Sequence, residues 1–195
     1  MYADAMDARE QLIEAMRELM WERGYVGTSP RAILSRAGVG QGSMYHHFGG
    51  KADLGAEALR RNAEAMRGNG ERMFDPAGGT VLDRLTAYLL RPREALKGCR
   101  IGRMTEDPDV IGDAGLRRPV EETLGWYRER IAELLAEGQA TGELRDDFTP
   151  HQVAATLTAV VQGGYVLAKA AQSPEPFDDA MRGAVALLTT LRPPS

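Results

Sequence analysis

Cysteine is almost absent from this chain of 195 residues, with Cys99 the single one. One thiol cannot close an internal disulfide or build a cysteine-ligated zinc site, because both need partners. No segment alternates apolar and polar residues as a strand does, which leaves an all-α chain. No apolar run approaches the roughly 20 residues needed to span a bilayer, and the polar, acidic start MYADAMDAREQ lacks the form of a signal peptide. The expectation is therefore a cytoplasmic protein. A composition of 43% hydrophobic and 27% charged residues suits a soluble globular chain able to bury a real core.

A further absence is local. Residues 23–51 contain no Asp or Glu, although the whole chain carries a net charge of −4. Residues 1–51 hold six Lys/Arg and six Asp/Glu, and every one of those acids lies at or before Glu22, so residues 23–51 carry +4 and residues 52–195 carry −4. A basic segment on an acidic body is the footprint of one face that meets a polyanion while the rest stays soluble.

The pattern around that segment is helical. Leu12, Ile13, Met16, Leu19 and Met20 share one face of a helix expected over residues 6–23, with Gly24 as its stop. Ser29-Pro30 reads as an N-cap and first residue of a short helix to Ala37, and Gly38 ends it. Gly40-Gln41-Gly42-Ser43 opens another short helix to about Phe48. Two short helices joined by a glycine-containing turn form the helix-turn-helix pattern, with Ile33, Leu34, Val39 and Phe48 as the small core that locks them. A further helix begins at Gly50, has Asp53 in its first turn, and is expected to run to Met66 before an interruption over 67–79. Helices are then expected over 80–97, 116–138, 149–172 and 176–191, with a short turn at 103–106 and a break at Pro108. This sets a helix-turn-helix domain, residues 1–51, ahead of a larger helical domain, residues 52–195.

A helix-turn-helix lays the start of its second helix in the DNA major groove, so residues there must be polar and free of negative charge. Gln41, Ser43, Tyr45 and His46 meet that requirement, while Gly40 and Gly42 leave room for backbone N–H groups to approach phosphates. Thr28, Ser29, Arg31, Tyr45, His46, His47 and Lys51 carry donors suited to phosphate oxygens. The stretch GYVGTSPRAILSRAGVGQGSMYHHFGGKADL resembles the DNA-binding domain of the TetR family of transcriptional regulators: a glycine-aromatic pair, Thr-Ser opening a helix, Ala-Gly-Val at the turn, then Gly-Ser-x-Tyr-x-His-Phe and a lysine. The resemblance implies a three-helix N-terminal domain, a helical C-terminal ligand-binding and dimerisation domain, and repression relieved by a small molecule. It also puts Thr28, Gly40, Gln41, Gly42, Ser43, Tyr45, His46, His47 and Lys51 at positions of DNA contact. Ala32, Gly40 and Gly50 stand where the family often has an acid, a Ser or Thr, and a Ser or Asn. GCRIGRMTEDPDV and VVQGGYVLAKAAQ are similar to the LmrA/YxaF-like branch, whose members respond to drug-like or flavonoid-like aromatic compounds.

Other groups have two readings each. Met66, Phe74, Leu89, Met104, Trp126, Tyr127 and Tyr165 either line a ligand cavity or are ordinary core. Gln162, in an apolar run, meets either a ligand or another helix. Gly163 and Gly164, with Met181, Val185 and Leu188, mark close approach of the last two helices, either to a second copy as a four-helix bundle or within the chain. Cys99 beside Lys97 and Arg100 is a redox-sensitive thiol or an inert buried one. Adjacent His46 and His47 point apart with no acid to complete a metal shell, and neither a phosphate loop nor a carboxylate pair supports an enzyme. The sequence thus predicts a homodimeric repressor of a palindromic double-stranded DNA operator, released by a small, largely apolar or aromatic molecule, with no metal, cofactor or membrane partner.

Overall fold

The computed structural model describes residues 7–75, 77 and 79–194. Met6, Pro76 and Gly78, which fall in segments discussed above, lie outside the described residues. The described chain is helical, with no strand among the described residues: α1 Ala8–Arg23, α2 Pro30–Ala37, α3 Ser43–His47, α4 Lys51–Met73, α5 Val81–Leu90, a 3-10 turn Gly102–Glu106, α6 Pro108–Gly112, α7 Ala114–Ala140, α8 Pro150–Ala171 and α9 Glu175–Thr189.

Contacts divide the chain elsewhere than after Lys51. One compact unit comprises residues up to 65 together with 100–122, and the other comprises 66–99 and 123–195. In the first unit, α1 buries Leu12, Ile13, Ala15, Met16, Leu19 and Met20, and Gly24 (φ 78°) donates its N–H to Met20 O. The Ser29 side chain accepts from Ala32 N, Pro30 occupies the first turn, and Gly38 closes α2 in the left-handed region, φ 67° and ψ 27°. Ile33, Met44, Phe48, Leu54, Ala58 and Leu59 complete the core. Leu34 and Val39, expected in that core, are only half-buried, and Met44 takes the central place. A five-residue helix offers too few positions for periodicity to show its inner face.

Segment 100–122 packs on these helices. Arg100 donates to Glu18 at 2.7 Å with its guanidinium 3.7 Å from the Trp21 ring centre. Arg103 donates to Trp21 O, and Asp107 accepts from Val26 N at 2.9 Å. Pro108, expected as a break, instead opens α6, because a missing N–H is harmless in a first turn.

The second unit is built on α5, α8, α9 and the C-terminal parts of α4 and α7. Helix α4 continues to Met73 through the expected interruption, because Gly70 faces the Trp126 ring; a Cβ there would lie 2.6 Å from Cζ3. Helix α5 stops at Leu90, short of residue 97, since Pro92 forces Arg91 into an extended conformation, φ −57° and ψ 145°. Its start carries a Thr80–Asp83 capping box, and Glu143 accepts from Val81 N and Leu82 N at 2.9 Å each. Buried Arg84 pairs with Glu137. Helix α8 is long and apolar enough to cross a membrane by length and composition, which corrects the expectation that no segment is. Thr156, Thr158 and Gln162 interrupt its apolar run, which hid its length, and its stripe of Ala154, Leu157, Val161, Tyr165 and Ala168 is buried within the unit.

Candidate nucleic-acid interface

Helices α2 and α3 present a polar face with no carboxylate of its own. An open groove of about 760 Å³ runs between them, with Arg31, Ser35, Gln41 and Tyr45 on its walls. Tyr45 is 67% exposed, an unusual position for so large an apolar ring. Ser29, Arg31, Gly40, Gln41, Gly42 and His46 are also exposed, while Ser43 and His47 are half-buried. A Cβ at Gly40 or Gly42 would meet nothing within 4 Å, so both mark open space in front of α3. The rings of His46 and His47 meet edge-on at 4.9 Å.

Three positively charged residues of the segment differ in availability. Arg36 is held by Glu22 through bonds of 3.1 and 3.0 Å. Lys51 Nζ lies 4.0 Å from the Tyr25 ring centre, where burial pulls its pKa below the usual lysine range. Arg31 alone of these three is exposed and unpaired among the described residues. Thr28 departs from expectation: it is fully buried, and its hydroxyl donates to Gly24 O at 2.7 Å, so it locks the α1–α2 turn and has no donor to spare for phosphate. Sequence reasoning missed Asp107, whose carboxylate holds the same turn from 81 positions away; no local pattern signals such a contact.

In the second unit, Met66, Trp126 and Tyr127 come together with Phe74 and Tyr88. The Tyr127 hydroxyl donates to Met66 O at 2.5 Å, and the Tyr88 and Tyr127 rings stack at 5.7 Å. Burial pushes the Tyr127 pKa up to about 12 and raises those of Tyr88 and Tyr165. Tyr165 packs on Phe177 at 4.6 Å, Leu89 is fully buried, and Gln162 is half-buried. Met104 is buried in the first unit and is not among this group. Buried Cys99 belongs to the second unit.

Among the residues expected at a dimer contact, Gly164, Met181 and Leu188 are committed within the chain. A Cβ at Gly164 would lie 2.9 Å from the Phe177 ring, and Met181 and Leu188 are buried. Val185 is half-buried, and Gly163 is exposed with nothing within 4 Å of a Cβ. The outward surface is carried by their neighbours Val166, Leu167 and Leu187.

An exposed, carboxylate-free second helix ahead of a separate helical unit is a recognisable arrangement, and comparison with known proteins agrees with it. Residues 12–58 match the profile of bacterial regulatory proteins of the tetR family, and residues 80–184 match that of the tetracyclin repressor-like C-terminal domain. The chain belongs to the TetR family. It is a DNA-binding transcriptional regulator and not an enzyme. The transcriptional regulator AcuR of Cereibacter sphaeroides is 30% identical over 189 residues, covering 92% of this chain and 84% of AcuR. The regulator LmrA of Bacillus subtilis, toward which the C-terminal resemblance pointed, is 27% identical over 178 residues, covering 88% of this chain and 91% of LmrA. A crystal structure of a TetR regulatory protein from Rhodobacter sphaeroides superposes with a TM-score of 0.81 at 27% identity, covering 92% of this chain and 97% of that one.

Proposed function

We propose that this TetR-family regulator is a cytoplasmic homodimeric repressor that reads a palindromic operator and leaves it when a small, largely apolar or aromatic effector binds its second unit. The observation that carries the reading is Tyr45, two-thirds exposed on the second helix of the motif beside Gln41, Gly42 and His46, with no carboxylate on α2 or α3. One short recognition helix reads few base pairs, whereas a twofold pair reads half-sites about 34–36 Å apart.

The dimer is supported by a stripe on the outer faces of the last two helices. Ala159, Gly163, Val166, Leu167 and Ala170 recur at helical spacing on α8, as do Gly183, Ala186 and Leu187 on α9, and all are exposed. A second copy packing on this stripe gives the four-helix bundle, with Gly163 and Gly183 leaving room for close approach. The aromatic cluster of Phe74, Tyr88, Trp126 and Tyr127 supports an apolar or aromatic effector. Operator affinity falls only if the effector binds the DNA-incompetent spacing of the two recognition helices more tightly; a 100-fold release corresponds to about 2.7 kcal/mol of differential binding.

Selection of binding sites from random duplex DNA tests this function. Wild type is expected to enrich one palindromic sequence that a Tyr45→Ala, His47→Ala double variant does not. Enrichment of no sequence at low and moderate salt contradicts it.

A further inference from the structure

Two half-buried cationic residues of the second unit stand two positions apart. Four other arginines of this unit are paired, Arg84 with Glu137, Arg130 with Glu133, Arg145 with Asp147 and Arg182 with Asp179. Arg91 and Arg93, either side of Pro92 after α5, pair with no carboxylate among the described residues. Arg93 serves the backbone, since Nη1 donates to Leu89 O at 2.6 Å and Nη2 to Tyr88 O at 2.6 Å, closing the carbonyl end of α5. Its Nε is buried without an acceptor. Arg91 serves no such end. Its guanidinium makes no hydrogen bond among the described residues, its Nε is buried, and it lies 5.8 Å from the Tyr88 ring centre.

The surroundings worsen the imbalance. Burial lowers the Arg93 pKa, and the like charge of Arg91 lowers it further. Tyr88, Tyr127 and Tyr165 stand in the field of both guanidinium groups and, as neutral phenols, supply no counter-charge. The Tyr165 hydroxyl makes no hydrogen bond among the described residues, and its ring packs on Phe177, which also lies 5.5 Å beneath the Arg93 guanidinium. A hollow of about 230 Å³ adjoins, with Leu90, Arg91, Asp178 and Arg182 on its accessible walls and buried Leu89, Phe177 and Met181 behind them. Adjacent half-buried cations with unused donors are a destabilised arrangement that a bound anion relieves.

We propose that Arg91, aided by the charge of Arg93, holds the head group of a small organic carboxylate whose apolar part lies against Leu90, the half-exposed apolar side chain on the wall of the hollow. The hollow is below the roughly 300 Å³ at which pockets for drug-sized ligands begin, which limits the ligand to a short chain or a single ring. Asp178 on the same wall repels a second negative charge and so selects a monoanion over a dianion. The proposal deepens the reading of the chain as an effector-responsive regulator, and rests on it for the consequence of binding.

The test uses the full chain with butyrate and benzoate against their neutral amides, at constant ionic strength set with chloride, and reads the unfolding temperature. At least one carboxylate is expected to raise it saturably while its amide does not. Arg91→Gln should weaken that binding tenfold or more, and Arg91→Lys should retain part of it; both variants are compared with wild type by their circular dichroism and ligand-free melting, so that a folding defect is separated from a binding defect. Amides acting as well as the carboxylates, full binding by a folded Arg91→Gln variant, or no carboxylate effect beyond chloride each overturn the proposal. Operator release is read separately. Carboxylate binding without any change in operator affinity would contradict effector control and leave the anion site standing, whereas release by a neutral aromatic with no carboxylate binding would do the reverse.

Discussion

At the scale of single residues, exposure separates the side chains proposed to read DNA from those that hold that surface in place. Tyr45 and Gln41 face solvent, so truncating Tyr45 should leave folding within about 0.5 kcal/mol of wild type while weakening operator binding. Met44, one position earlier, is fully buried, and Met44→Ala should cost about 2–5 kcal/mol, seen as a lower denaturation midpoint. The two substitutions sit side by side in α3 and should fail for opposite reasons, which equilibrium unfolding and anisotropy on an operator duplex distinguish. The sequence made the polar residues of α3 legible through their type, but not the buried status of Thr28, which depends on the Gly24 carbonyl reaching its hydroxyl.

At the scale of elements, the helix ends written in local chemistry were the readable part. Ser29-Pro30, Gly38 and Gly24 act where their types predict, since a cap or a left-handed residue satisfies its own turn. Features that depend on a distant partner were not readable. Two glycines at 68 and 70 look like a break, yet α4 runs on because Gly70 makes space for Trp126. Gly70→Ala should therefore destabilise the chain by about 1–3 kcal/mol despite its better helix propensity, measurable by thermal unfolding. A second element-scale device joins α4 to α1. Hydrogen bonds from Arg60, with smaller help from Arg61 and Arg9, outweigh burial and hold the Glu57 carboxyl below its usual pKa. A carboxyl with a lowered folded pKa stabilises the fold above its unfolded pKa, and that contribution is lost as pH falls through the folded value. Glu57→Gln should accordingly lower the melting temperature at neutral pH, and the gap to wild type should close under strongly acidic conditions.

At the scale of the whole molecule, a unit carrying the helix-turn-helix and a second helical unit share one chain, and the proposed function gives effector binding to the second and asks for two copies of the chain. Helices α8 and α9 use their inner faces on each other, through Gly164, Phe177 and Met181, and leave Val166, Leu167 and Leu187 outside. The small-residue signal at Gly163-Gly164 was legible in the sequence. That Gly164 and not Gly163 packs on Phe177 was not, because adjacent helical positions point about 100° apart and only packing assigns them. Leu187→Glu on the outer stripe should give a folded monomer by light scattering, with operator affinity reduced at least tenfold.

The measurement that bears most directly on the central claim, a twofold reader of DNA built on the exposed face of α3, compares two duplexes. One carries the selected palindrome, and the other carries the same half-sites with about five base pairs, half a helical turn, inserted at the centre. The insertion puts the second half-site on the opposite face of the DNA and is expected to abolish specific binding by wild type. Equal affinity for both duplexes would contradict the claim, because a protein indifferent to half-site phase is not reading DNA as a rigid pair.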